Sequence, residues 1–313
     1  MDLEWIATAL GARGARRTER IQSLWGGYGE LSRVELACCP TRTVIVKWAR
    51  PPAGSDGDVS SRRKHRSYDV ETAFYRAVAS RCDDSCRVAS LLAARGGEAE
   101  GEWALVLEDL DAAGFDMRAD EATPSQLDAA LAWLASFHAR FLGERTRGLW
   151  PVGTYWHLDT RRDELAAIAD AELRAAAPRI AERLAAARYQ TLVHGDAKDA
   201  NFCFARDGRV AAVDFQYTGG GTGVQDVAYL LYGRRDEPED GIDHARLDTY
   251  FQALRRALAG RRDVDAGGLE AEWRALYPVA RLDFCRFLAG WRPAMWRADV
   301  RGQRFVRVML ART

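Results

Sequence analysis

The chain has 313 residues, 48% hydrophobic and 29% charged, and its 45 basic and 45 acidic residues give a formal net charge of zero. That length suits one two-lobed enzyme or two modest domains, and the charge balance excludes bulk attraction to nucleic acid or a membrane surface. No apolar run approaches the ~18 residues that span a bilayer, and Met1-Asp2-Leu3-Glu4 lacks the basic start and apolar core of a secretory signal.

Residues 1–20 read as an arginine-rich leading helix, with Glu19 to Leu24 as the first strand. Trp25 to Glu30 is a tight loop holding Gly26, Gly27 and Gly29. In the next strand, Leu31 to Cys38, Val34, Leu36 and Cys38 alternate with Arg33, Glu35 and Ala37, the period of a half-buried strand. Pro40-Thr41-Arg42 turns the chain into a third strand, Thr43 to Trp48. Lys47 lies in that apolar run, where a cation is costly unless paired. A helix predicted over Tyr68 to Ser80 carries the stripe Val70, Ala73, Phe74, Ala77 and Val78, and Glu71 on its border is the available partner. Before it, Arg62-Arg63-Lys64-His65-Arg66 reads as a solvated loop. Cys82 and Cys86 are spaced to share a helix face, and six cysteines without zinc-site spacing fit reduced thiols in a cytoplasm. Trp103 to Leu107 is a strand running into Glu108, Asp109 and Leu110.

Beyond Leu110 the pattern turns helical. Ser125 is placed to cap a helix bearing Leu127, Leu131, Leu134 and Phe141, with His138 as a core residue on the same face. Asp163 to Arg188 is alanine-rich and amphipathic, with an interruption near Pro178. Tyr189 to Val193 is a short buried strand. Thr218 to Gly223 reads as a flexible loop whose glycines allow close backbone approach to a substrate or metal. Helices over about Asp243–Arg261 and Glu270–Ala289 follow. From Arg281 to Thr313 eight arginines face two aspartates, a surplus that disfavours a polycationic ligand. Tyr155, Trp156, His157, Trp291 and Trp296 are candidates for an aromatic wall around a ligand, with core packing as the competing role.

The chemistry concentrates in His194-Gly195-Asp196-Ala197-Lys198-Asp199-Ala200-Asn201. Phe202 to Phe204 and Val210 to Val213 then flank Asp207-Gly208, a strong hairpin signal, and Asp214-Phe215-Gln216 ends the run. Asn201 enters the first strand and Asp214 leaves the second, so their side chains are expected at one open end with Asp196 a loop away. An amide and two acids there suit magnesium, and one acid suits the proton of an alcohol under phosphorylation.

This pattern resembles the aminoglycoside phosphotransferase/choline kinase superfamily, and Glu108-Asp109-Leu110 is similar to its choline-kinase-like and ecdysteroid-kinase-like branches. The resemblance implies an α+β, protein-kinase-like, two-lobed fold. A small N-terminal β-sheet lobe with one main helix would cover residues 1–109, and a mostly helical C-terminal lobe residues 110–313. It implies a small-molecule kinase that uses ATP and Mg2+. By that match Asp196 is the catalytic base, Asn201 and Asp214 bind the metal, and Asp226 buttresses the loop that His194 organises. Lys198 resembles the lysine of Asp-x-Lys-x-x-Asn in protein serine/threonine kinases, which faces the transferring phosphate. Gly26, Gly27 and Gly29 would cover the phosphates, the Lys47–Glu71 pair would position them, and backbone groups around Glu108 and Leu110 would read adenine. Nucleosides, sugars and macrolide-like antibiotics all remain open as acceptors, with resistance by drug phosphorylation among the implied roles. A silent nucleotide-binding module and a protein kinase are the alternatives. Intact Lys47, Asp196, Asn201 and Asp214 oppose the first, and the lack of an Ala-Pro-Glu after Asp214 opposes the second.

Overall fold

Alternating apolar residues in the first hundred positions build an antiparallel sheet, and the 3.6-residue stripes that follow build helices. The computed structural model describes residues 1–52, 59–145 and 147–311. These form two compact units. The first is Met1–Ala119 with Thr146–Leu149 and Phe202–Gln216; the second is Asp120–Arg145, Trp150–Asn201 and Tyr217–Thr313.

In the first unit the leading helix is short: α1 is Leu3–Ala9, capped by Asp2, which accepts from the Trp5 amide at 3.0 Å. Left-handed Gly11 (φ 65) follows its end. Of the arginines expected in that helix, Arg16, Arg17 and Arg20 lie instead in strand β1, Gly14–Ser23, and Arg13 just before it. There Arg16 and Arg17 reach Glu35 and Glu30 on the neighbouring strand. Strands β2 (Gly29–Ala37) and β3 (Thr43–Ala49) continue the meander. Helix α2 spans Val59–Ala77, so the basic run 62–66 is helix rather than loop. Arg66 donates to the carbonyls of Gly148 and Leu149, and the His65 ring sits 5.4 Å from that of Trp103. Cys82 and Cys86 share no helix face: Cys82 ends one short turn, and Asp83 caps the next, which contains Cys86. Strands β4 (Arg87–Val88), β5 (Leu91–Gly97) and β6 (Glu102–Glu108) complete this part. The five-stranded order is β1-β2-β3-β6-β5, with every pairing antiparallel. Val34, Leu36, Val44, Val46 and Val106 bury one face with Ile6 of α1, while Leu24, Tyr28, Ala49 and Trp103 cluster with Tyr68 of α2.

The second unit begins with α3, Pro124–Arg140. Its cap is Thr123, not Ser125, because Pro124 has the fixed φ of a first helical residue and Gln126 closes a capping box. Helices α4 (Arg162–Ala166) and α5 (Ala171–Ala185) follow. The expected interruption falls before Asp170, whose carboxylate caps α5, whereas Pro178 sits within α5 without ending it. Strand β7 is Thr191–Val193. The chain then returns to the first unit for the hairpin β8 (Phe202–Phe204) and β9 (Val210–Ala212), with Phe202 opposite Ala212 and β9 parallel to β4.

Back in the second unit, the glycine run is not a flexible loop. Gly219–Gly221 is strand β10, antiparallel to β7. A Cβ on Gly219 would lie 2.3 Å from the Trp150 carbonyl, and one on Gly221 2.6 Å from Gln225 Oε1. The close approach these glycines permit is to the protein itself. Helices α6 (Val224–Leu231), α7 (His244–Ala257), α8 (Ala266–Trp291), α9 (Pro293–Ala298) and α10 (Val300–Leu310) complete the unit. The last two were not among the predicted elements. Two of the C-terminal arginines are internal. Arg281 pairs with Glu237 between the rings of Tyr232 and Phe305, and Arg286 bonds Asp283. Arg312 lies outside the described residues. No described helix is long and apolar enough to cross a membrane.

Candidate active site

In the first unit, β3 places Lys47 opposite Leu31 of β2 and Leu105 of β6. Its Nζ lies 2.7 Å from Glu71 Oε2, 2.9 Å from Glu71 Oε1 and 3.0 Å from Asp214 Oδ1. Burial alone would favour loss of the Lys47 proton, but the carboxylates of Asp214 and Glu71 outweigh it and raise its pKa. Burial pushes Glu71 up, Lys47 pulls it down, and the net direction is upward. Removing one partner of such a buried pair costs about 3–5 kcal/mol.

Asp214 has φ 68, an uncommon conformation for a residue with a side chain. The next residue, Phe215, stacks on Phe74 at 3.8 Å and 8°. Phe74 is one helical turn beyond Glu71, so this stack ties the segment after Asp214 to the helix that supplies the ion pair.

The three loop glycines differ in circumstance. A Cβ on Gly29 would meet the Trp48 carbonyl at 1.9 Å, so the neighbouring strand alone demands glycine there. One on Gly26 would meet Lys64 Nζ at 2.7 Å, and one on Gly27 would meet nothing within 4 Å. At the end of β6, the Glu108 carboxylate accepts from Arg87 and from the Ser90 amide at 2.9 Å. Burial raises its pKa, but Arg87 and Ser90 prevail and hold it below the usual value. Buried Asp109 binds Arg33 at 2.8 Å, and the Leu110 carbonyl accepts from the Phe115 amide at 2.8 Å. The acidic side chains of Glu108 and Asp109 are thus engaged within the protein. Sequence reasoning missed Arg33 and Arg87, whose partners are remote in the chain.

In the second unit, Asp226 accepts from the amides of His194 at 2.6 Å and Gly195 at 2.9 Å, and lies 3.1 Å from His138 Nε2. His138 is wholly buried and its other ring nitrogen is 2.9 Å from the Tyr250 hydroxyl. His194 Nδ1 accepts from the Asp196 amide at 3.2 Å. The Asp196 carboxylate, 6% exposed, accepts from Lys198 Nζ at 2.9 Å and Asn201 Nδ2 at 3.0 Å. Asn201 Nδ2 also donates to the Asp196 carbonyl at 2.8 Å. These bonds turn the amide nitrogen toward Asp196 and the amide oxygen away from it. Asp199, which the sequence did not single out, anchors the loop by accepting from Arg234 and the Ala122 amide.

Thus Lys47, Glu71 and Asp214 are joined in one unit, and Asp196, Lys198 and Asn201 in the other. Among the described residues there is no group of three or more His, Cys, Asp and Glu placed to hold a metal. Asn201 in the second unit and Asp214 in the first each offer an oxygen donor of the hard kind that suits magnesium. Of the aromatic candidates, Trp156 is fully buried and donates to Asp283 at 3.0 Å, and Tyr155 packs with Phe287 and Trp291. Trp291 is 36% exposed.

The phosphotransferase enzyme family matches residues 53–264, more than half of the chain. No curated protein matches in sequence. Among solved structures, amicoumacin kinase hAmiN in complex with AMP-PNP, Ca2+ and Ami is similar with TM-score 0.56 and 13% identity, over 100% of this chain and 94% of that one. Choline kinase from Cryptosporidium parvum Iowa II follows with 0.55 and 9%, over 92% and 88%. A thermostable mutant of aminoglycoside phosphotransferase APH(4)-Ia, with ADP and hygromycin B, gives 0.52 and 14%, over 97% of each chain. At such identities the likeness concerns the fold, which is the kinase-like, two-lobed one. The chain therefore belongs to the phosphotransferase enzyme family.

Proposed function

We propose that the protein transfers the γ-phosphate of ATP, with magnesium, to a hydroxyl of a small molecule. The observation that carries this reading is the Asp196 carboxylate, held by Lys198 and Asn201 in a loop whose amides converge on Asp226. Asp196 orients the acceptor hydroxyl and takes its proton as the new O–P bond forms and the bond from the γ-phosphorus to the bridging oxygen breaks, releasing ADP. Lys198 offsets charge on the transferring group. Lys47, fixed by Glu71, neutralises phosphate oxygens, Gly27 lets backbone approach them, and backbone groups around Glu108 and Leu110 receive the adenine. Asn201 and Asp214 would hold Mg2+, whose charge would neutralise the phosphates. The nucleotides in the amicoumacin kinase and APH(4)-Ia structures support a nucleotide here. Their antibiotics support an antibiotic among the acceptors, and with it a role in resistance.

Asp196→Ala and Asp214→Ala are each expected to lower turnover by at least about 10²-fold, the scale of a lost general base or metal ligand, with the circular dichroism spectrum unchanged. Either variant turning over ATP at near wild-type rate with the true acceptor would remove the assignment. A screen of nucleoside, carbohydrate and antibiotic alcohols, read by ADP release, identifies that acceptor.

A further inference from the structure

The peptide group that joins Gly195 to Asp196 is pinned at both ends. Its N–H, on Asp196, donates to His194 Nδ1 at 3.2 Å, and its carbonyl, on Gly195, accepts from the Tyr155 amide at 2.9 Å. The second bond comes from a segment, Trp150 to Tyr155, that runs along the glycine strand and the base loop. Trp150 N–H donates to the Thr218 carbonyl, Gly153 N–H to Gly220 and Thr154 N–H to Tyr217, at 3.1, 2.8 and 3.1 Å. The approach is close enough that a Cβ on Gly195 would fall 2.8 Å from the Thr154 nitrogen.

Thr154 is the anomaly in this segment. Its φ is 84, in the left-handed region that a β-branched residue rarely enters. Its side chain is 3% exposed, and its hydroxyl has no hydrogen-bond partner among the described residues. Both features oppose folding, and such outliers persist only where the surroundings over-determine them. The same left-handed turn aims the adjacent amides of Thr154 and Tyr155 at two different segments, the carbonyls of Tyr217 and Gly195.

We infer that Thr154 is a positioning residue for phosphoryl transfer: its left-handed turn presents the Tyr155 amide to the Gly195 carbonyl and so fixes the peptide plane from which the base Asp196 projects. This rests on Asp196 acting as the base. Thr154 itself touches no reacting atom. Its conformation is retained for where it puts the next amide, and its strained, unpartnered side chain is a liability that glycine would remove.

The test is a series at one position, read by melting temperature and steady-state kinetics in the full chain. Thr154→Gly and Thr154→Asn enter the left-handed region more readily than threonine. Thr154→Gly is expected to raise the melting midpoint by a few degrees and to keep kcat within threefold. Thr154→Asn is expected to keep kcat likewise. Thr154→Pro closes that region and is expected to lower kcat at least tenfold, with the KM for ATP within twofold. Replacing the Tyr155 amide by an ester removes only the donor to Gly195, and the same kcat loss is expected should the proline variant fail to fold. Normal kcat in a folded Thr154→Pro variant or in the ester, or a lowered melting midpoint in Thr154→Gly, would overturn the inference. The midpoint needs no turnover, so it reads the strain even if the wild type transfers no phosphate, a result that would count against the proposed reaction instead.

Discussion

Gly219 illustrates how one residue type can carry two meanings. In the sequence, three consecutive glycines suggest freedom. In the fold, each occupies space that a neighbouring backbone or side chain has closed, and Gly219 faces both the Trp150 carbonyl and the Gly153 amide. Gly219→Ala is expected to destabilise the protein by at least about 2 kcal/mol, as overpacking against rigid backbone does, measured by urea unfolding with an unchanged m-value. Glu108 gives a pH-dependent counterpart. Its folded pKa is held below the ordinary glutamate value of 4.5 by Arg87 and Ser90, against the opposing effect of burial. Its contribution is therefore complete above that unfolded value and is lost as pH falls through the lower folded value. Glu108→Gln should lower the melting midpoint at pH 7, and the gap from wild type should narrow below pH 4.5. A gap that stays constant with pH would show that the charge of Glu108 is immaterial. Neither role could be read locally, because Trp150 and Arg87 are remote from these residues in the chain.

Elements were legible where the pattern was long and its signals local. The alternation in β2 and β3 and the stripe on α2 placed Lys47 and Glu71 correctly on strand and helix, and their pairing followed from the cost of an unpaired buried cation. The Asp-Gly turn placed the β8–β9 hairpin. Boundaries failed where a stronger local signal sat nearby. Ser125 looked like the start of α3, but Thr123, followed by proline and with Gln126 three residues on, makes the reciprocal bonds. Thr123→Ala is expected to cost about 1 kcal/mol, whereas Ser125→Ala should lie within about 0.5 kcal/mol of wild type; equal losses on chemical denaturation would refute the capping box. Helices α9 and α10 went unread because they are short, and only Gly302, Phe305 and Val306 of α10 are buried.

At the scale of the whole molecule, the residues that the proposed phosphoryl transfer would use are divided between two units, each with its own ion-paired cluster. A ligand that engages only the native state stabilises it by mass action, by about 2.7 kcal/mol at a hundred times its dissociation constant. ATP with magnesium should therefore raise the melting midpoint, and Lys47→Met should diminish that rise. No rise in the wild type at millimolar nucleotide would argue against ATP as the donor. The acceptor was the least legible property. Two of the C-terminal arginines that argued against a polycationic ligand are buried in ion pairs, so sequence charge overstated the positive character of that end.

The first unit closes only when Phe202–Gln216 joins it, which has a consequence for biosynthesis. Lys47 and Asp214 are 167 residues apart, and at about 5–20 residues per second a ribosome needs roughly 8–30 s to bridge that interval. During it β4 lacks its partner β9, and of the two carboxylates that Lys47 meets only that of Glu71 has been made. Translation that stops short of Asp214 leaves a first unit without its β8–β9 hairpin and Lys47 without one of its two carboxylate partners, a fragment expected to be recognised by chaperones and proteolytic quality control.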